Sequence, residues 1–404
     1  MVAWHDLARH ALEPNPLFEA ECLIPAARYL LNGERMALVV AEEDGRFFGC
    51  FPVLRVEGDV RPSSSWAGIR RPTFTTQLRR LRYDGTPLLR SERSSEATSA
   101  LLSVLTHRGA KNDAGILVLE ALDMGGPVTT FLADAAKQLR LPSYTYRTWE
   151  RPLVQRRDEL TYRDSYEGQS VRKIAKLCRQ LGDKLGGEVA IMDRSGDPLA
   201  VDQLIALEAS GYKSRNGVAM VSHPGESEWF REMCVQFRKT NRVLLYSLQV
   251  GHSVVAMILM LRAGEGLFGL QTVFDEQYAK FSPGIQLILE VINRFHNATD
   301  AQWLDSCTFA GNETLLRIFP DRRGVSTVLI AVGGPVDRWL LRFSVTGQNL
   351  FGVDSAFRRR HPRLSGALDN ILMKFVLPKK VAQRGANNAG RERAPDVRHP
   401  TDIS

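Results

Sequence analysis

Residues 35–55 (RMALVVAEEDGRFFGCFPVLR) lie without gaps on residues 242–262 (RVLLYSLQVGHSVVAMILMLR), 207 positions further on. Each stretch reads as apolar strand, turn, apolar strand with Arg at both ends. The turns, Asp44-Gly45 and Gly251-His252, hold residue types suited to a tight hairpin. Ahead of each hairpin, apolar residues recur at helical spacing: Phe18, Cys22 and Leu23 in the first copy, Trp229, Phe230, Met233, Cys234 and Phe237 in the second. Helix then hairpin, used twice, predicts a tandem duplication; chance alignment of two common hairpins is the competing reading.

A chain of 404 residues exceeds one ordinary core, so two domains are expected. A composition of 44% hydrophobic and 24% charged residues is that of a globular protein. The longest apolar run, 254–261, is far short of the roughly 20 residues that cross a bilayer. The first residues contain His5, Asp6, Arg9 and His10 and do not read as a secretory leader, which leads to the expectation of a cytoplasmic product. The five cysteines are scattered and form no zinc or redox spacing, so they read as reduced and mostly buried; no metal site is expected.

The formal charge of +8 sits in the tail. Of 53 Lys and Arg, 11 lie from Ala356 onward, against 4 of the 45 acids, which leaves 42 basic and 41 acidic residues in the body. A near-neutral body predicts no specific nucleic-acid partner. The expected division is 1–150, 151–345 and a basic tail 346–404, disordered from about 378. Within the second part, 151–187 reads as a charged segment carrying an amphipathic helix, with Arg172, Lys173, Lys176, Arg179 and Lys184 set among Ile174, Leu177, Cys178 and Leu181. Strands 188–193, 267–274, 302–307 and 325–332 and helices 198–210, 226–240, 285–296 and 313–319 complete a mixed α/β sheet with packed helices. Ser63 to Arg71 and Ser91 to Ser99 read as polar loop or cap segments.

Three segments carry residues suited to chemistry. The first, Tyr278 to Gln286 (YAKFSPGIQ), places Pro283 and Gly284 at a helix start, where several backbone N–H groups are expected to point outward beside the positive end of the helix dipole. That is an anion site, or equally a plain strand-to-helix turn. The second, Leu207 to Gly217 (LEASGYKSRNG), joins Glu208, Tyr212, Lys213 and Arg215; Glu208 could act as a base and Tyr212 as an acid, or the group could be a solvated helix end. The third, Trp303 to Cys307, ends a strand in Asp305, which could orient a substrate amine or bond nearby backbone. The chain has no G-x-G-x-x-G and no Walker-type loop. In the first copy Gly125-Gly126-Pro127 puts Pro after the glycines, where one donor for an anion is missing, so the cofactor is expected in the second copy.

The FSPG turn, the LEASGYKSRNG segment and the DSC followed by FPDRR resemble bacterial acetyltransferase-like proteins associated with cellulose biosynthesis, of the GNAT superfamily, related in layout to the tandem Fem transferases. The resemblance covers about 14–335 and is strongest over 165–332. It implies two tandem GNAT-like domains and an acyl-CoA-dependent N-acyltransferase using acetyl-CoA or another acyl-CoA. The first domain would be degenerate and the enzyme a monomer or homodimer acting on a small-molecule acceptor. Phe281, Ser282, Pro283, Gly284 and Ile285 would hold the CoA pyrophosphate. The thioester would lie along 254–261, beside Met257 and Ile258. Tyr278, Glu208 and Asp305 would be the catalytic groups and Tyr212, Lys213 and Arg215 the substrate contacts. Where that family has a glycine-richer turn and Trp-Lys-Gly, this chain has one Gly beside Pro283, and Tyr212-Lys213-Ser214. An aminoacyl-tRNA-dependent transferase and a non-catalytic assembly module remain the alternatives.

Overall fold

Both hairpins form at the expected offset and to the residue. In the computed structural model β1 (Met36–Glu43) and β2 (Arg46–Val56) match β8 (Val243–Val250) and β9 (Ser253–Ala263) in length and position. Both carry a register shift at the same place, Ala41/Glu42 and Leu248/Gln249. Asp44 and Gly45 both have positive φ (50° and 76°), as a two-residue turn with matching strand twist requires. The helix before each hairpin is α2 (Ala20–Tyr29), which follows α1 (Val2–Arg9), in the first half and α8 (Glu226–Arg238) in the second. These helices pack on each other, and the Trp229 indole donates to the Cys22 carbonyl at 3.3 Å, a bond between residues 207 positions apart. Residues on a two-fold axis meet their own equivalents, so a contact at the repeat offset places α2 and α8 on the pseudo-axis relating the halves.

The described residues are 1–31, 34–56, 73–76, 85–110, 114–157, 168–309 and 311–350. Met1–Glu57 with Pro72–Ser344 form one compact unit; the other, Gly58–Arg71 with Val345–Ser404, falls outside the described residues but for the end of one helix. The expectations for residues 63–71 and for the tail beyond 350 therefore lie outside the described residues.

The rest of each half follows the same order. In the first, β3 (Thr73–Thr75), α3 (Ser94–Ala110), β5 (Ile116–Asp123), α4 (Pro127–Gln138) and β6 (Ser143–Gln155) follow the hairpin, with a short β4 (Leu88–Leu89) against β2. In the second half, α5 (Gly168–Leu185), β7 (Val189–Asp193), α6 (Ala200–Ser210) and the one-turn α7 (Tyr212–Arg215) precede α8. After the hairpin come β10 (Gly266–Phe274), α9 (Pro283–Ala298), β11 (Trp303–Asp305), α10 (Glu313–Ile318), β12 (Asp321–Ala331) and α11 (Pro335–Leu350). Among the described residues eleven strands join one mixed sheet in the order β1-β2-β3-β5-β12-β6-β11-β10-β9-β8-β7, and a twelfth, β4, pairs with β2 off that path.

The middle of that order is an exchange. β12, from the second half, lies between β5 and β6, and β6, from the first, lies between β12 and β11. A boundary at 150/151 thus falls inside β6, a strand that the sequence reading passed over in favour of a charged segment. The sequence signal was there: Tyr144 and Tyr146 alternate with Ser143, Thr145 and Arg147. Ser91 to Ser99, expected as polar loop or cap, leads into the first turns of α3, where Ser94 and Thr98 turn their hydroxyls onto backbone carbonyls.

On β9, Met257, Leu259 and Leu261 enter the core beneath α6 and α8, and Ile258 and Met260 enter the core beneath α5 and α9. Burial on both faces accounts for the unbroken apolar run that made this strand visible in the sequence.

Candidate functional site

The fork between β10 and β11 is the opening in the second half. The two strands pair in parallel only over Gly266–Phe268 and Trp303–Asp305. β10 then runs on to Phe274 with β9 as its one partner among the described residues, while the chain beyond β11 turns away at Cys307 (φ 50°). Gly269 stands at the fork: a Cβ there would lie 3.2 Å and 3.3 Å from the carbonyls of Asp305 and Ser306, so glycine lets the strands meet before they part. Beyond the fork, β10 offers an open backbone edge.

Glu208, at the end of α6, is buried beside this edge. Its Oε1 accepts from Lys213 Nζ at 3.0 Å and from the Gln271 side chain of β10, and its Oε2 accepts from the Met220 N–H at 2.9 Å. α7 brings Lys213 round, and its N-terminus is held by Glu276, which accepts from the Tyr212 N–H and from the Arg215 guanidinium. The Arg215 hydrogen bond, above all, holds the Glu276 carboxyl below its ordinary range. Gly211 is glycine because a Cβ would lie 3.2 Å from that carboxylate. The expected group Glu208, Tyr212, Lys213 and Arg215 therefore assembles against β10, with Tyr212 half exposed. Gln271 and Glu276 belong to it and were missed, because they lie some 60 residues away in sequence.

The turn before α9 is narrower than expected. Ser282 is left-handed (φ 55°, ψ 49°), and the N–H groups of Ile285 and Gln286 both return to its carbonyl at 3.1 Å. Pro283 has no N–H, so among the described residues Gly284 supplies the one first-turn amide without a backbone acceptor, in place of several. Gly284 is itself buried, and a Cβ on it would lie 3.3 Å from the Phe274 ring; close helix–strand packing accounts for this glycine. No acid stands in the first turn of α9. Phe281 is buried beneath, Ile285 is partly buried, and exposed Lys280 lies over the Phe281 ring at the mouth of the turn, a cation the sequence reading did not single out. Tyr278, half-buried between Asp275 and this turn, packs into the same core.

Two expected assignments need correction. Met257 is fully buried and Ile258 nearly so, and β9 is hydrogen-bonded to β8 on one side and β10 on the other over 256–261. That strand has no free N–H for a thioester carbonyl; the open edge belongs to β10. Asp305 is also fully buried. Arg323 on β12 reaches it at 3.0 Å, Arg151 on β6 at 3.6 Å, and the Cys307 N–H donates to it at 2.8 Å; Arg323 continues to Asp123 on β5 at 3.4 Å. This chain of charges crosses the exchanged strands β12 and β6 and their neighbours β5 and β11, so Asp305 ties the sheet and is not placed to orient a substrate amine.

The asymmetry between the halves also has a different basis. By order of elements the counterpart of α9 is α3, whereas Gly125-Gly126-Pro127 precedes α4, the counterpart of α10. The residue before α3, Arg93, is left-handed (φ 62°) like Ser282. There, however, Arg93 is paired with Glu43 and with Glu96 of the first turn, and nearby Arg90 is buried against Asp6. The start of α4 is likewise filled from within the chain, Glu13 accepting the Val128 N–H at 2.8 Å. Carboxylates of the protein occupy the first half's turns; the second half's turn has none.

Among the described residues, no three His, Cys, Asp or Glu converge as metal ligands, and no helix is long and apolar enough to cross a membrane.

A fork of parallel strands followed by a helix start in the second half, with the same order of elements in the first, gives this mixed α/β sheet a tandem GNAT-like architecture. Residues 169–313 match the model of the acetyltransferase (GNAT) domain. Among solved structures the chain is similar in fold to FemX, with a TM-score of 0.54 at 9% identity over 84% of this chain and 97% of that one. It is also similar to a conserved protein of unknown function from Bacteroides thetaiotaomicron VPI-5482, with a TM-score of 0.50 at 12% identity over 82% and 96%. No curated protein matches the sequence.

Proposed function

We propose that the protein is an acyl-CoA-dependent N-acyltransferase whose donor enters the fork of β10 and β11. The observation that carries this reading is the parting of those two strands at Gly269, which leaves an open backbone edge that leads into the α9 turn. A backbone N–H of β10 would polarise the thioester carbonyl, and the Gly284 N–H with the helix dipole would face the diphosphate, with Phe281, Ser282, Pro283 and Ile285 shaping the turn and Lys280 adding a cation. The acceptor amine attacks the carbonyl carbon, Glu208 takes its proton once the amine displaces Lys213 or Gln271, and Tyr278 returns a proton to the departing thiolate. Tyr212, Lys213 and Arg215 would border the acceptor, and holding both reactants against β10 would supply most of the acceleration. The first half, its turns filled by Glu13, Glu96 and Asp6, would be the structural or acceptor-side partner. The sequence resemblance supports an acceptor in envelope polysaccharide metabolism.

Thermal-shift measurements with CoA, acetyl-CoA and longer acyl-CoAs test the reading. Stabilisation by at least one of them, lost in Lys280→Glu, is expected; a melting curve unmoved by all of them sinks it. A second reading, an aminoacyl-tRNA donor, draws on one observation: Arg172, Lys173, Lys176, Arg179 and Lys184 of α5 are exposed. Salt-dependent tRNA binding that disappears when these are neutralised would favour it.

A further inference from the structure

The gap at the fork has a second wall, and it comes from the first half. β11 pairs with β6 only over 153–155, and the Ser306 N–H reaches the Pro152 carbonyl at 3.2 Å before the chain turns away. Residues 143–151 of β6 therefore face residues 270–274 of β10 across the place β11 vacates, two strand spacings or about 10 Å wide. Along this stretch β6 has β12 as its one strand partner among the described residues. Cross-strand partners share a face of the sheet. Leu261 pairs with Phe268, Phe268 with Asp305 and Asp305 with Leu153, and β6 runs without a register shift from 153 to 147. Trp149 and Arg147 thus lie on the face of Leu259 and Leu261, and so does Gln271, which is opposite Leu259 and bonded to Glu208. The other face of β6 is closed by α10, where Val154, Leu315 and Ile318 share a core.

Two groups on that wall are unmet. The Trp149 indole N–H is buried and has no acceptor among the described residues. A buried donor left so costs stability unless something supplies an acceptor. Arg147 is exposed, its guanidinium carbon lies 5.6 Å from the centre of the Trp149 ring, and it makes no ion pair among the described residues. Arg323, on the same face, is by contrast engaged by Asp305 and Asp123. Counted from the fork pairs Asp305–Leu153 and Val118–Leu329, the counterpart of Trp149 in the other half is Val325, a plain buried side chain. The indole and its unmet donor therefore belong to the second half's fork and not to the first's.

We infer that the acceptor is a primary amine carrying an anionic group, carboxylate or phosphate, at the far end of a short spacer, and that Arg147 and Trp149 select it. The inference rests on the transferase reading above, with Glu208 as the partner of the amine. A guanidinium stacked on an indole keeps its N–H edge free for a bidentate anion, and the indole N–H supplies a further donor beside it. Register places Arg151 level with Gln271 and Trp149 two residues further along, so the Gln271 and Trp149 backbones are about 12 Å apart. Hydrogen bonds of about 3 Å at each end leave roughly 5–8 Å between the acceptor's nitrogen and its anion. An α-amino acid is too short to span the two points; an amine on a chain of about five carbons fits.

Full-length protein, with and without CoA, is titrated calorimetrically with 6-aminohexanoate, 6-aminohexyl phosphate, hexylamine and hexanoate. At least one anionic amine is expected to bind roughly ten-fold tighter than hexylamine and than hexanoate, and the tighter of the two names the anion. Arg147→Gln erases that preference while hexylamine binds within about two-fold of wild type, and its melting temperature is unchanged because the side chain is exposed. Trp149→Phe, which keeps a ring and removes the N–H, weakens the anionic amine alone, by about three-fold to ten-fold. Equal binding of hexylamine and the anionic amines, a preference that survives Arg147→Gln, or no binding of any probe overturns the inference. Where acyl-CoA still raises the melting temperature in that case, the acyl-CoA reading stands. An Arg147-dependent preference in a protein that no acyl-CoA stabilises upholds the inference and removes the acyl-CoA donor.

Discussion

Glu208 is a carboxylate with three donors on it and almost no water. Truncating it leaves Lys213, the Met220 N–H and Gln271 around an empty acceptor position, so Glu208→Ala is expected to destabilise the protein by about 2–4 kcal/mol in denaturant unfolding. Glu208→Gln keeps the shape and one acceptor oxygen. If Glu208 is the base, that variant retains most of the stability and loses roughly 100-fold or more in transfer rate; a fall in stability with an unchanged rate would reassign it to structure alone. Glu19 makes a prediction of pH dependence. It is buried beside Arg242 at 2.6 Å, and desolvation outweighs that cation and pushes its carboxyl up to about 7. A folded value above the unfolded one means the native state binds more protons between about pH 4.5 and 7. The contribution of this group to stability is therefore greatest below that window and falls as pH rises through it, by up to roughly 3 kcal/mol. Chemical denaturation across pH 5 to 8 should show that fall in wild type and a flatter profile in Glu19→Gln. Residues whose partners are near in sequence, as in 207–217, were legible; Gln271, Glu276 and the arginines of Asp305 were not, because long-range pairing leaves no local pattern.

At the scale of elements, the hairpins and the helices before them could be placed to within a residue or two because each is a local object with its own periodicity and turn chemistry. What periodicity does not carry is which element faces which. The turn Gly125-Gly126-Pro127 resembled the α9 turn in composition and belongs to a different helix, while the true counterpart before α3 shares only a left-handed residue, Arg93 in one half and Ser282 in the other. The charge chain Asp123–Arg323–Asp305–Arg151 spans β5, β12, β11 and β6, so its loss weakens four strands together. Asp305→Ala should cost about 3–5 kcal/mol, since it takes the carboxylate from two arginines, one of them fully buried. Acyl-CoA affinity measured well below the melting temperature should stay within about two-fold of wild type; a selective loss of affinity with unchanged stability would return Asp305 to the ligand site. Gly225, the left-handed cap of α8 (φ 82°), abuts Tyr29 of α2, where a Cβ would lie 2.0 Å from the carbonyl. Gly225→Ala should therefore lower stability by about 2–3 kcal/mol through strain and forced separation of the two helices.

At the scale of the whole molecule, the exchange of β6 and β12 makes each half's sheet depend on the other's chain. Tryptophan fluorescence and far-UV circular dichroism should report one coincident unfolding transition for the body, and two separated transitions would contradict the coupling. The same exchange sets a limit on how the two copies can diverge. The first half has its helix starts stopped with its own carboxylates, yet its last strand is an interior strand of the sheet beside β11, next to the fork. Were the first unit to carry no ligand of its own, its removal would still strip β6 from β11 beside the fork. On the function proposed above, the copy without a vacant turn would be retained as scaffold, and selection on the site at the fork would reach even residues in β6 that never meet a substrate.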